Sequence, residues 1–186
     1  PHPEGRIPPL RRYKWIGAGY FETMGNPVLA GRALQWTDAF DKAPVVVVSE
    51  TLAREYWKDP AQAVGRRIRN TPTSPWRTIV GVVGNERDDG VTRPASSIVY
   101  WPIVVDRFWS ESAMVYRSLA YAIRSERSGS PTLLREVQQA VWSVNGNLPV
   151  ANPQTLEEIQ AESMAQTSFA LVMLSIAAAV ALLLGV

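Results

Sequence analysis

The chain contains no cysteine and a single histidine, His2, in the Pro-rich opening segment. Those two shortages exclude a thiol nucleophile, a disulfide framework and a zinc site of the Cys/His kind, and they leave no Ser-His-Asp arrangement to assemble. Nor is there a G-x-x-x-x-G-K-[ST] sequence, so no P-loop binds ATP here. Acidic residues are almost as many as basic ones, 17 against 19, for a formal net charge of +2. The dense basic clusters, RRYK at 11–14 and GRRIR at 65–69, are not interleaved with aromatics as a nucleic-acid platform would be, and no nucleic acid is expected as a partner. Charge is absent altogether from 163–186, and Pro and Gly are absent from 155–184.

That last shortage organises the reading. Residues 169–186, FALVMLSIAAAVALLLGV, are apolar on every face. A bilayer core needs roughly 20 such residues in helical form, because backbone groups left unpaired in hydrocarbon cost several kcal/mol. A signal peptide would be N-terminal with a basic leader. A helix buried in a large soluble protein would need a thicker shell than the rest of this polar chain supplies. A membrane span is therefore expected. The last Lys or Arg before it is Arg135, and the nearer charges are Glu157, Glu158 and Glu162. A flank without cations belongs on the extracytoplasmic side. A chain that opens on Pro1 and stops inside an apolar run is expected to be a piece of a longer protein.

Upstream, the spacing predicts a short strand at 13–16, a helix at 20–24 ended by Gly25-Asn26-Pro27, and a core strand at 44–48 that is apolar at both parities and so covered on both faces. Gly17-Ala18-Gly19 begins like a dinucleotide fingerprint, but Glu22 stands at the third glycine position, which argues against it. Ser49 is placed as the N-cap of a helix at 50–57 with Leu52, Ala53, Tyr56 and Trp57 on its packing stripe, closed by Asp59-Pro60. Strands are expected at 76–84, where Gly81 and Gly84 suggest a bulge or a close backbone approach, and at 97–101. Between them 85–90, NERDDG, lacks the spacing and the distal Glu of a calcium loop and reads as a polar hairpin loop.

After 110 the pattern becomes strand, helix, strand. Leu119, Tyr121 and Ile123 alternate with alanines; Ser130-Pro131 caps a helix whose stripe is Leu133, Leu134, Val137, Val141 and Val144; 148–151 returns as a strand parallel to the first. Thr155 and Glu158 form a capping box that opens one uninterrupted helix to 184. The carboxylate pairs Asp88-Asp89 and Glu157-Glu158 are sequence neighbours, poor geometry for acid/base work. The seven Trp read as core or interface anchors. No catalytic, cofactor-binding or metal-ligating residue is assigned.

The ordered set Tyr20-Phe21-x-x-Met24-Gly25, Gly31-Arg32, 45–57 (VVVVSETLAREYW), Val64-Gly65-Arg66, 79–84 (IVGVVG), Val99-Tyr100-Trp101-Pro102 and Leu148-Pro149-Val150 resembles the MacB-like periplasmic core domain of ABC transporter permeases, in style the group with duplicated permease halves. The resemblance implies an α+β fold: a sabre-like small α/β part over 1–109, the closing βαβ half of a porter-like part over 110–153, a stalk helix over 154–166, and a transmembrane helix over 167–186. It also implies a non-enzymatic domain in a bacterial inner membrane protein, with residues 1 to about 166 outside the cytoplasm. There it would transmit motion for efflux or export while a cytoplasmic ATP-binding subunit or domain hydrolyses ATP, and the permease would work as a homodimer or with a paired half, beside other envelope components. The other reading of the residues is a membrane-anchored extracytoplasmic module that binds a ligand or lipid without ATP coupling.

Overall fold

A computed structural model describes residues 11–88, 90, 93–115 and 119–184; within the last helix the side chains of 163, 165–171, 177, 179 and 181–184 lie outside the description, as does His2. The chain divides into two compact units, Pro1–Arg124 and Ser125–Val186.

The first unit is built on strand β3 (Val45–Ser49), the run of four valines. Val46 and Val48 face one way, into a core with Leu52, Ala53, Ile79, Val82, Val99, Trp101 and Phe108. Val47 faces the other way, with Ile16, Phe21, Leu34, Val83, Ile98 and Tyr100. An apolar run at both parities is what a strand covered on both faces requires, and β3 is buried in that manner. Around it the main sheet takes the order β1-β6-β3-β5-β2, from β1 (Arg12–Ile16), β6 (Ile98–Pro102), β5 (Arg77–Val83) and β2 (Val28–Gly31), with β4 (Arg67–Ile68) also paired to β5. β3 runs parallel to β5 and antiparallel to β6, and β1 runs parallel to β6. The segment after β5 is thus not the turn of a hairpin, as expected from its composition. It carries the chain past β3, which lies between β5 and β6.

Ser49 caps α3 (Glu50–Tyr56), its Oγ accepting from Leu52 N at 3.4 Å and also from Ile98 N at 3.0 Å, so one hydroxyl ties the helix start to β6. Leu52 and Ala53 of that helix are buried as expected, whereas Tyr56 is exposed. Asp59 starts a single 3-10 turn, Pro60–Ala63, by accepting from Ala61 N at 3.0 Å. The suspected close approach occurs at Gly81. A Cβ there would lie 2.1 Å from the Arg32 carbonyl oxygen, and one on Gly31 would lie 2.2 Å from that of Val80, so β2 and β5 touch backbone to backbone. The β3–β5 register shifts between Val46 and Val47, at the same point.

α1 (Tyr20–Met24) ends on Gly25 in the left-handed conformation. α2 (Trp36–Phe40) and the two-stranded sheet of β7 (Val104–Val105) and β8 (Met114–Val115) were not expected. In α2 the box is made by Gln35 and Asp38, with Asp38 accepting from Gln35 N at 2.8 Å. Gln is an uncommon cap, and an element this short carries little periodicity.

The second unit holds α4 (Pro131–Val144), capped by Ser130 Oγ accepting from Leu133 N at 3.2 Å, and α5 (Leu156–Leu184), opened by Thr155 N donating to Glu158 at 2.6 Å and Glu158 N donating to Thr155 Oγ1 at 3.1 Å. Both caps are as expected. The flanking strands are not: 119–123 and 148–151 form no ladder among the described residues. Alternation tells which way side chains face; a strand exists only where a neighbouring strand takes its N–H and C=O groups, and the Leu148 N–H donates instead to the Asn145 carbonyl while its C=O accepts from Trp142 Nε1. The 29 residues of α5 span about 43 Å at 1.5 Å per residue. Among the described residues no helix is long and apolar enough to cross a membrane. The span expected at 167–186 falls largely on side chains outside the description.

Candidate functional site

A dense polar cluster of the first unit sits where β5 runs out into 84–88. Gly84 is there for proximity. A Cβ would lie 2.6 Å from Asn26 Oδ1 and 3.1 Å from the Pro27 ring. Gly84 N donates to the Pro27 carbonyl at 2.9 Å, and Asn26 Nδ2 donates to the Gly84 carbonyl and to Glu86 Oε1, each at 3.1 Å. Glu86 Oε2 also accepts from Lys14 Nζ at 2.7 Å and from Tyr20 OH at 3.1 Å. Lys14 reaches Asp88 at 2.6 Å, and Arg12 donates to the other Asp88 oxygen. An open hollow runs along these residues, walled by Met24 and Gly25 as well.

The electrostatics make the cluster a clasp. Burial by itself would lower the Lys14 pKa, but the hydrogen bonds that Lys14 donates to Asp88 and Glu86 and the Glu86 charge together outweigh it, and the net shift is upward. For Asp88 burial pushes upward, and the bonds to Lys14 and Arg12 reverse the sign, so its carboxyl stays below the usual range. Near neutral pH, Lys14 remains a cation and Asp88 an anion, which leaves no amine nucleophile. Tyr100 lies beneath, fully buried; burial first, then the Glu86 charge, raises its pKa, while its hydroxyl makes no hydrogen bond of good geometry among the described residues. The clasp joins β1, α1 and the segment after β5.

The neighbouring polar contacts extend this fastening. Asn85 Oδ1 accepts from Thr51 N and Thr51 Oγ1, both at 2.8 Å, pinning the segment to the start of α3. Arg11 pairs with Glu55, Ser97 Oγ donates to Glu55 at 3.2 Å, and the Arg11 guanidinium lies 5.9 Å from the Tyr56 ring centroid. Across the sheet, Tyr13, Trp15, Trp101 and Phe108 form an edge-to-face wall with centroids 4.7 to 6.2 Å apart. Arg77 is buried against it, 5.2 Å from the Trp101 centroid, and donates to the carbonyls of Pro75 at 3.1 Å and Asp106 at 2.6 Å. Burial lowers its pKa, against the opposing charge of Asp106.

Of the residues weighed from sequence, Asp88 enters the clasp, and Glu158 serves as a helix cap. Gly19 takes a left-handed turn into a five-residue helix, which is no dinucleotide site. Among the described residues, no group of three or more His, Asp or Glu could hold a metal ion. Trp101 is buried in the core, whereas Trp36, Trp76, Trp109 and Trp142 are exposed, which leaves those four to the interface half of the expectation. Lys14 and Glu86 were not seen as partners. They are 72 positions apart, and only the β1–β6 pairing brings Lys14 to the sheet's interior register, opposite Tyr100.

A family model described as the MacB-like periplasmic core domain matches residues 11–164. Among solved structures the chain is similar to the periplasmic region of MacB from Actinobacillus actinomycetemcomitans, with 18% identity and a TM-score of 0.42 over 72% of this chain and 56% of that one. It is also similar to a domain from Porphyromonas gingivalis described as a candidate permease protein, with 18% identity and a TM-score of 0.39 over 76% of this chain and 68% of that one. The chain thus spans little more than half of the MacB periplasmic region. No curated protein matches the sequence.

Proposed function

This chain belongs to the MacB-like periplasmic core domain family, and from that premise we propose that it is the extracytoplasmic domain of an ABC transporter permease, carrying ATP-driven motion from the membrane into the periplasm for efflux or export. The single observation that carries the reading is the family match over 11–164. In this reading residues 1–109 are the sabre-like part, 110–153 the closing porter-like half, 154–166 the stalk, and 167–186 a span of the bacterial inner membrane. ATP is hydrolysed by a separate cytoplasmic subunit or domain, and the permease works as a homodimer or with a paired half. The domain itself is not an enzyme; calorimetric titration with Mg-ATP is expected to be flat, and saturable heat of defined stoichiometry would reject that.

The physical support for force transmission is α5. A regular helix bends only by breaking backbone hydrogen bonds, and from its cap at Thr155 this one runs without Pro or Gly. Gln160→Pro removes one such bond and clashes with the preceding turn, at a cost of about 3 kcal/mol or more. In the reconstituted full transporter, ATP turnover is expected to persist and export to fall sharply, whereas Gln160→Ala should be nearly silent. Unchanged export in the proline variant at normal membrane levels would make the segment a passive tether. The second reading, an anchored binding module, draws on the exposed Trp36–Phe40 pair, stacked at 6.1 Å.

A further inference from the structure

The hairpin of β4 and β5 carries exposed cations that the fold leaves without anions. From 60 to 85 the sequence has no Asp or Glu, yet it holds Arg66, Arg67, Arg69 and Arg77. Arg77 turns inward to carbonyls. The other three are exposed, and none forms an ion pair among the described residues, whereas Arg11, Arg12, Lys14, Arg32 and Arg54 each face a carboxylate. Strand alternation sets the arrangement: Ile68 packs on the core, so Arg67 and Arg69 point together to the opposite side. The register pairs Arg67 with Thr78 and Ile68 with Arg77, and one step further places Arg69 across from Trp76. The Arg69 guanidinium lies 4.5 Å from the Trp76 ring centroid and that of Arg67 5.8 Å, and the indole itself is 48% exposed.

Two guanidinium groups on one ring repel each other, and no carboxylate offsets this. Contact with the ring holds the two guanidinium groups side by side, and neither forms a side-chain hydrogen bond among the described residues, so their N–H groups can meet a bidentate acceptor such as a phosphate. The half-exposed indole prefers a water–lipid boundary. The tip between them is uncharged: Thr71 accepts from Ser74 N at 3.1 Å, and Pro72 and Pro75 flank the turn. Two open hollows of the unit, one beside Arg11 and Ser97 and one along the clasp, are lined by other residues, and this solvent-facing strip suits an extended flat partner.

We propose that the β4–β5 hairpin, through Arg67, Arg69 and Trp76, docks on the anionic phosphate headgroups of a phospholipid surface. The inference rests on the membrane attachment proposed above, which keeps the hairpin at high effective concentration near lipid, but not on ATP coupling.

The absence of native Cys permits a local readout. Thr73→Cys at the exposed hairpin tip, carrying a polarity-sensitive fluorophore, is placed in the full chain and reconstituted in vesicles of phosphatidylcholine alone or of phosphatidylcholine and phosphatidylglycerol in equal parts. Blue-shifted emission and shielding from a water-soluble quencher are expected only with phosphatidylglycerol. The engaged population should fall about fivefold for each of Arg67→Gln and Arg69→Gln, and also with added salt. Trp76→Ala should lose the blue shift. Emission identical in the two vesicles, with the chain floating on both, overturns the docking and leaves the attachment standing. A response that survives the double arginine substitution overturns it as well, as does shielding by soluble polyglutamate but not by lipid, which would reassign the strip to an acidic protein. A chain that floats with neither vesicle overturns the attachment itself.

Discussion

The two units are stabilised by different means. In the first, distant segments meet: β1 pairs with β6 and β3 with β5, and every buried apolar residue among those described lies between Ile16 and Phe108. In the second, the anchors are local. Ser130 caps α4 three residues on, Thr155 and Glu158 cap α5, and α4 has no buried residue at all. Its apolar stripe of Leu133, Leu134, Val137 and Val141 is only half-buried, so the helix takes less from tertiary packing and should open at lower cost than the sheet. Side chains carry unequal weight accordingly.

The largest expected effect is in the aromatic wall. Trp101→Ala empties a site that is 1% exposed and should cost about 3 to 5 kcal/mol, read by denaturant unfolding of the full chain in detergent. A cost below about 1 kcal/mol would mean that the first unit is no better packed than the second. Next comes Ser49→Ala, which removes the cap of α3 and strands the buried Ile98 N–H; about 2 to 3 kcal/mol is expected, more than for an ordinary cap. Ser130→Ala, the matching change in the second unit, removes only a cap and should cost about 1 kcal/mol, visible as faster amide exchange confined to α4. Equal losses at Ser49 and Ser130 would erase the contrast.

Acid separates the units as well. Asp38 is held below the usual carboxyl range, first by its hydrogen bonds to Arg32 at 2.7 and 2.9 Å and then, against the upward push of burial, by the N–H of Gln35. A carboxyl with a lowered native pKa contributes stability that is whole above its unfolded pKa, near 4, and drains away as pH falls through the native value. Asp38→Asn should therefore flatten the acid limb of first-unit stability below about pH 4 and leave amide exchange in α4 unchanged. The smallest effect is expected for Val144→Ala, at a residue 85% exposed: within about 0.5 kcal/mol in the isolated chain. A larger loss only in the assembled transporter would reveal a partner on α4.

The sequence disclosed what depends on neighbours along the chain. The valine run, the Ser49, Ser130 and Thr155 caps and the glycine end of α1 were all legible, because each is decided by residues a few positions apart. The close approach at Gly81 was legible as a location but not as a contact, since nothing local names Gly31 and Arg32 as its neighbours in the sheet. The clasp of Lys14, Glu86 and Asp88 was not legible, because its charges are separated by most of a domain. The expected strands at 119–123 and 148–151 failed for the complementary reason: alternation describes a face, while a ladder needs a second strand.

The pairing of β1 with β6 has a consequence for the timing of synthesis. Arg12 leaves the ribosome before its ladder partner Ile98, which appears only after β2 to β5 have been made. Until then the RYKWI segment waits as a free edge bearing Tyr, Trp and Ile, the kind of surface on which nascent chains stick to each other. Arg12 and Lys14, which later close the clasp, are gatekeepers in that interval, since their charges oppose intermolecular strand addition. Their two tasks fall at different times, first keeping chains apart and then fastening one chain shut.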